Sequence, residues 1–398
     1  MLRLSADRRQ FLAILSRFGL ASTMLPSALW ALAEKKDPPH ITRQIIDDAA
    51  VIADVKIDDT QKDMMIEAFA DQLKGFEAIH DLHLPNSQQM ALIFDPLLPG
   101  MTVSTERKPM VMSAPATVGI SGAPKNLDEL AFYSLRQLAE LVRTKKVSSA
   151  SLTDLYVGRL KKYDPLLKYS ITYTVDRAIA QASEADAEIA RGKYRGPLHG
   201  IPWGCKDIIA VKGYPTTWGA GGFEKQTFDH DATVVQRLDA AGAVLIAKTT
   251  VGALAMGDHW YGGQTRNPWN PQQGSSGSSA GSASAVAAGC LGFAIGTETL
   301  GSISSPSTRC GVTGLRPTFG RVPRTGAMAL SWSMDKIGAI CRSVEDTALV
   351  LDAIYGPDQQ DNCAKDAAFN WDANLDWRKL RVGYLQKEFE AKIGRAHV

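Results

Sequence analysis

The chain lacks most of what would mark it for nucleic acid, a disulfide scaffold or a membrane span. Charge of neither sign is in excess, with 44 basic side chains against 42 acidic ones in 398 residues. Setting aside the first 33 residues, which carry Arg3, Arg8, Arg9, Arg17 and Asp7, leaves 40 basic against 41 acidic. No nucleic-acid footprint is therefore expected. Cysteine is scarce, and Cys205, Cys290, Cys310, Cys341 and Cys363 form an odd set without C-x-x-C spacing. That excludes a disulfide framework or a thiolate zinc site and predicts buried thiols. Beyond residue 33 no run of about 18 uninterrupted apolar residues occurs, so no membrane insertion is expected once a leader is cleaved.

What is present is ordinary globular composition, 45% hydrophobic and 22% charged, enough for one large domain or two modest ones. The 34 glycines crowd between 191 and 325. Tight turns and close backbone approach are needed there, so that is where chemistry is sought.

The two ends are read apart from the fold. Arg8-Arg9-Gln10-Phe11-Leu12 opens a mostly apolar stretch ending in Ala31-Leu32-Ala33, the small-x-small pattern of a cleavage site. It resembles a twin-arginine export signal over 1–33 and predicts a periplasmic or otherwise exported protein. At the other end, 393–398 back-translates to a common sequencing-adapter string, which predicts a non-native tail and a truncated chain.

Residues 34–125 read as a helical extension and linker. Ile45, Ile46, Ala49 and Ala50, then Met64, Met65, Phe69 and Leu73, recur at helical spacing. His80 and His83 stand three apart but lack a third ligand and are expected as a surface pair. From 126 to 392 helix and strand alternate, which argues for an α/β sheet covered on both faces. Ser134 and Gln137 make a capping box before one apolar stripe. Val234 to Ala240 reads as helix, broken at Gly242 and followed by a strand at Ala243 to Ala247. Leu291 to Ile295 and Leu380 to Leu385 read as further strands.

The chemistry is sought in three segments. The run from Gln273 to Ser282 is rich in Gly and Ser, yet it leads directly into the helix former Ala283 to Ala288, so it belongs to structure and is no linker. It lacks the Lys of a phosphate-binding loop. Gly277-Ser278-Ser279-Ala280-Gly281 also fits the nucleophile elbow, with Ser279 as nucleophile. An elbow enzyme needs a later His, and the only one is His397. Ser333-Met334-Asp335-Lys336 is an S-x-x-K match without its companion motifs. A serine hydrolase without His needs another base, and a buried Lys serves because burial disfavours the ammonium. Lys206, among the apolar residues 200–211, is the best candidate, although the ordinary reading is a surface pair with Asp207.

Taken together, Gly200-Ile201-Pro202 with Lys206-Asp207, the Gly-Ser-Ser of the serine run, Gly296-Thr297-Glu298-Thr299-Leu300-Gly301-Ser302-Ile303, and Cys310 to Thr318 closely resemble the amidase signature family. The resemblance covers roughly 126 to 385. It implies a mixed central β-sheet flanked by α-helices on both faces and an amidase cutting a carboxamide C–N bond without metal or organic cofactor. Position by position, it implies Ser302 as nucleophile, Ser278 as bridging serine after a cis peptide, and Lys206 as base. The backbone amides of Thr299, Leu300, Gly301 and Ser302 would form the oxyanion hole. A small-molecule amide is the expected partner, and a homo-oligomer is compatible with the pattern. The alternatives within the resemblance are the catalytic subunit of glutamyl-tRNA amidotransferase and an inactive truncated homologue. This chain has Glu298, Leu300 and Ser304 where relatives have Asp, Gly and Arg, and Ala280 where they have Gly. Leu300 must place a Cβ on the oxyanion loop, and Ser304 removes a charge. Asp207 is expected as a structural hydrogen-bond partner, because a carboxylate facing Lys206 would favour the ammonium.

Overall fold

A computed structural model describes residues 41–387 except 86, 87, 92, 114–123 and 125. The expected export signal at 1–33 and the tail at 393–398 lie outside the described residues. The chain divides into two compact units, Met1–Pro85 and Asn86–Val398.

In the first unit two helices form a hairpin, α1 (Arg43–Ala53) and α2 (Asp59–Asp81). Thr42 caps α1, and Asp58 with Gln61 makes a reciprocal capping box on α2. Ion pairs join the helices, Arg43 to Asp63 and Lys62 to Asp47. Ile46 and Ala50 are buried, whereas Met64 is exposed. The helical spacing of this segment therefore marks real helices, but only part of its apolar set is covered within the hairpin. His80 lies in the last turn of α2, while His83 follows the helix with φ +46°. The two do not share one helix face.

The second unit is built on a six-stranded mixed sheet. Its elements in chain order are α3 (Leu135–Arg143), α4 (Ser149–Leu167), β1 (Ser170–Tyr173), α5 (Val175–Ala190), β2 (Pro202–Lys206), α6 (Thr233–Ala240) and β3 (Val244–Thr249). Then come α7 (Ala280–Ala287), β4 (Phe293–Glu298), α8 (Ser304–Cys310), β5 (Thr313–Gly314), β6 (Lys336–Cys341) and α9 (Val344–Ile354). The strand order is β1-β3-β2-β4-β6-β5. The three central strands β3, β2 and β4 run parallel, and β1, β6 and β5 pair antiparallel outside them. Every residue of β2, β3 and β4 is buried. This is the pattern of a parallel core screened from water on both faces.

The capping box at Ser134 and Gln137 starts α3 as read from the sequence. The strand placed at 291–295 forms two residues later, because Gly292 donates to Pro202 O ahead of β2–β4 pairing and the polar residues 296–298 pair with β6. The strand expected at 380–385 is absent. Val382 and Leu385 are exposed after a short 3-10 turn, and no described strand includes residues 380–385. Residues 104–113, expected as linker, run against 366–373, with Val111 bridging to Asp372, Lys108 N–H donating to Asn370, and Arg107 pairing with Asp366. No described helix is long and apolar enough to cross a membrane.

Candidate active site

The carboxyl ends of parallel strands converge on one region, the usual place for a ligand in an open α/β sheet. β2 ends on Lys206, β3 carries Lys248 and Thr249, and β4 ends on Thr297 and Glu298. Both lysines are fully buried, and their partners separate their roles.

Lys206 Nζ lies 2.8 Å from Ser278 Oγ, 2.7 Å from Thr297 Oγ1 and 3.3 Å from Thr297 O. Among the described residues no carboxylate is in contact with it. Burial pulls its pKa down from 10.5 to about 7, against the opposing pull of Asp335 and Glu298. Asp207, its chain neighbour, turns away, accepts from Thr217 N–H and Oγ1–H, and pairs with Lys248 Nζ at 2.6 Å. Lys248 also donates to Pro215 O at 2.8 Å and to Thr216 Oγ1. The expected structural role of Asp207 fits this geometry. The surface Lys206–Asp207 pair does not form, since Lys248 answers the Asp207 charge inside the protein.

The serine run crosses beside Lys206. The Gly277–Ser278 peptide is cis. A Cβ at Gly277 would come within 1.8 Å of Gly257 O, so the backbone approach at this point demands glycine. Ser278 is 1% exposed. Ser279, the alternative elbow nucleophile, is fully buried, donating to Thr297 O at 3.0 Å and accepting from Thr297 N–H at 3.1 Å. An elbow serine stands free at the head of its turn, and Ser279 instead stitches the run to β4. Helix α7 then begins at Ala280, earlier than the sequence suggests.

Ser302 sits in the turn between β4 and α8 and is 9% exposed. Two bonds hold this turn to the serine run: Ser279 N–H to Ser302 O at 3.0 Å, and the hydroxyls of Ser276 and Ser305 at 2.7 Å. The structure thus brings Lys206, Ser278 and the Ser302 turn together. Among the described residues, the Ser278 and Ser302 hydroxyls form no hydrogen bond with each other; such catalytic contacts commonly tighten only on substrate. Gly301 has φ +89°, which spares Leu300 any left-handed conformation, so the loop accepts a Cβ at 300.

Sequence reading missed four groups here, one beside Lys206 and three on the loop. Thr297 anchors Lys206. Glu298, fully buried, accepts from Ile303 N–H and Ser304 N–H at 2.8 Å each, from Ser304 Oγ at 3.0 Å and from Arg316 at 3.2 Å. Burial would raise its pKa, but the N–H groups of Ser304, Ile303 and Gly301 outweigh that and hold it near 2. Ser304 therefore serves the loop through its own amide and hydroxyl. Asp335 accepts from Thr299 Oγ1 at 2.5 Å, and Lys336 donates to Thr299 O at 3.0 Å. The S-x-x-K string thus acts through Asp335 and Lys336 on the loop. Its signal was legible only as a motif of another kind. Among the described residues no cluster of metal-ligating side chains occurs.

A mixed α/β sheet with a buried lysine beside a cis-linked serine at its carboxyl edge defines a serine-lysine arrangement on an amidase fold. The chain belongs to the amidase family, whose model, described as Amidase, matches residues 151–396. It is 41% identical over 269 residues to the Mycobacterium tuberculosis protein AmiD, covering 66% of this chain and 56% of that one. It is also 41% identical over 262 residues to a glutamyl-tRNA(Gln) amidotransferase subunit from Methylococcus capsulatus, covering 64% and 54%. Among solved structures it resembles the peptide amidase of Stenotrophomonas maltophilia, with 38% identity and a TM-score of 0.56 over 59% of this chain and 50% of that one. The chain spans about half the length of the curated relatives it matches.

Proposed function

We propose that this protein is an exported amidase that hydrolyses a carboxamide C–N bond through an acyl-enzyme on Ser302, with Ser278 as relay and Lys206 as base. The observation that carries the reading is the Lys206 Nζ to Ser278 Oγ contact of 2.8 Å in a fully buried site where, among the described residues, no carboxylate stands against the amine. A neutral amine has two N–H groups and one lone pair. The carbonyl and hydroxyl oxygens of Thr297 take the two N–H groups, which leaves the lone pair for the Ser278 proton.

The steps follow from that geometry. Ser302 Oγ attacks the carbonyl carbon as its proton passes to Ser278, whose own proton passes to Lys206. The carbonyl π pair moves onto oxygen, where amides in the 299–302 loop receive the charge; losing one such donor typically costs about 3 to 4 kcal/mol. The C–N bond then breaks as the proton returns through Ser278 to the departing nitrogen. Water then gives its proton to Lys206 along the same path and attacks the ester carbon, the C–O bond to Ser302 breaks as that proton returns to Ser302 Oγ, and a carboxylic acid leaves.

The glutamyl-tRNA amidotransferase alternative draws on relatives of equal identity. The free amidase is favoured because Arg8-Arg9 heads an export-type leader and the rest of the chain carries net −1, which suits neither cytoplasmic assembly nor tRNA. A fluorophosphonate probe followed by peptide mass spectrometry tests the chemistry. An adduct on Ser302, formed much more slowly in Lys206→Ala, is expected; an adduct on Ser279 would overturn it.

A further inference from the structure

The loop that presents the proposed oxyanion amides also displays an uncovered apolar side chain. Leu300 is 81% exposed although it stands two residues from Ser302. Leu300 thus adjoins, along the chain, the amides proposed to receive the carbonyl oxygen. A second segment is fastened to the same loop. Asp335 takes Thr299 Oγ1–H on one carboxylate oxygen, and on the other it takes Leu330 N–H at 2.7 Å and Ser331 N–H at 2.9 Å. A single carboxylate thus separates the Leu330 amide from the Thr299 hydroxyl. Leu330 and Met334, on either side of Ser331, are 43% and 42% exposed.

The charges at this place are turned onto the loop itself. Asp335 is filled by three donors, Lys336 is spent on Thr299 O, and Glu298 is buried under Ile303, Ser304 and Arg316. Arg316, half-exposed, brings a charge to the surface on the Glu298 side.

We infer that Leu300, Leu330 and Met334 form an apolar rim beside Ser302, held in place by Asp335 as a positioning residue, and that the acyl part of the substrate is an apolar group. The inference rests on the proposed Ser302 chemistry and deepens it by naming the substrate class. Apolar contact with a chain of several carbons gains free energy in proportion to the area covered, whereas a hydroxylated acyl group loses hydration on the same rim.

The test compares kcat/KM for hexanamide and for lactamide in the parent, Leu300→Ser and Leu330→Ser, alongside fluorophosphonate labelling of the parent. The parent should favour hexanamide by about 10-fold or more, and each variant should lower that ratio by about 3- to 10-fold, chiefly through KM for hexanamide. Because both substrates use one nucleophile, the ratio cancels any general loss of folded enzyme, and Leu330 is outside the loop that carries the amides. A labelled parent that prefers lactamide, or variants with the parental ratio, would overturn the rim while leaving Ser302 as nucleophile. A parent that neither labels nor cleaves either amide would overturn both.

Discussion

At the residue scale, the proposed chemistry turns on one side chain. Lys206 Nζ is a base only while neutral, and burial brings its pKa from 10.5 to about 7. Activity should accordingly rise with pH through a single deprotonation near 7 and then level off, read from the pH profile of kcat/KM. Lys206→Met, which keeps length and removes the lone pair, should lower kcat by about 100- to 10,000-fold. Stability carries the same signature. Between about 7 and 10.5 the unfolded chain holds a proton on this lysine that the folded chain does not, so stability rises with pH across that interval. Urea midpoints should show the rise in the parent and lose it in Lys206→Met. That the fold gathers Lys206, Ser278 and the Ser302 turn was legible because each stands in an uncommon string of residues. Thr297, Glu298 and Asp335 were not, because their work depends on pairing between distant segments: Lys336 lies opposite Glu298 in the β4–β6 register, and only that brings Asp335 to Thr299.

At the scale of elements, the turn from β4 into α8 is braced by carboxylates at both ends. Glu298→Ala would leave the Ile303 and Ser304 amides without their acceptor, and a destabilisation of about 3 kcal/mol is expected from chemical denaturation. The interior pair of Asp207 and Lys248 is a second brace, between the β2 exit and β3. Asp207→Ala leaves a fully buried ammonium without its counter-charge and should cost about 3 to 5 kcal/mol, whereas removing both partners together for apolar residues should cost far less. A double-mutant cycle measures the difference. Element boundaries were read well where local signals act alone, as at the Ser134 cap and at the break between α6 and β3. They were misread where pairing decides. β4 runs on into polar residues because β6 lies beside them, whereas the apolar segment 380–385 forms no described strand.

At the scale of the whole molecule, the amidase unit and the 43–81 hairpin are separate compact bodies, and the proposed chemistry lies within the larger one. The near-neutral charge beyond residue 33 lends no support to a nucleic-acid partner, and the twin-arginine pattern leads to a further prediction. Replacing Arg8 and Arg9 together by Lys should leave the precursor uncleaved in the cytoplasm, as judged by fractionation and immunoblotting of the intact chain; unchanged export would refute that route. The proposed catalysis still depends on one amine at the end of β2. The most direct measurement is an NMR titration of the Lys206 side-chain nitrogen in the folded protein, assigned by its loss in Lys206→Met. A neutral base requires a midpoint near 7, well below that of the surface lysines. A nitrogen that stays protonated up to the surface-lysine range would contradict the proposed catalysis.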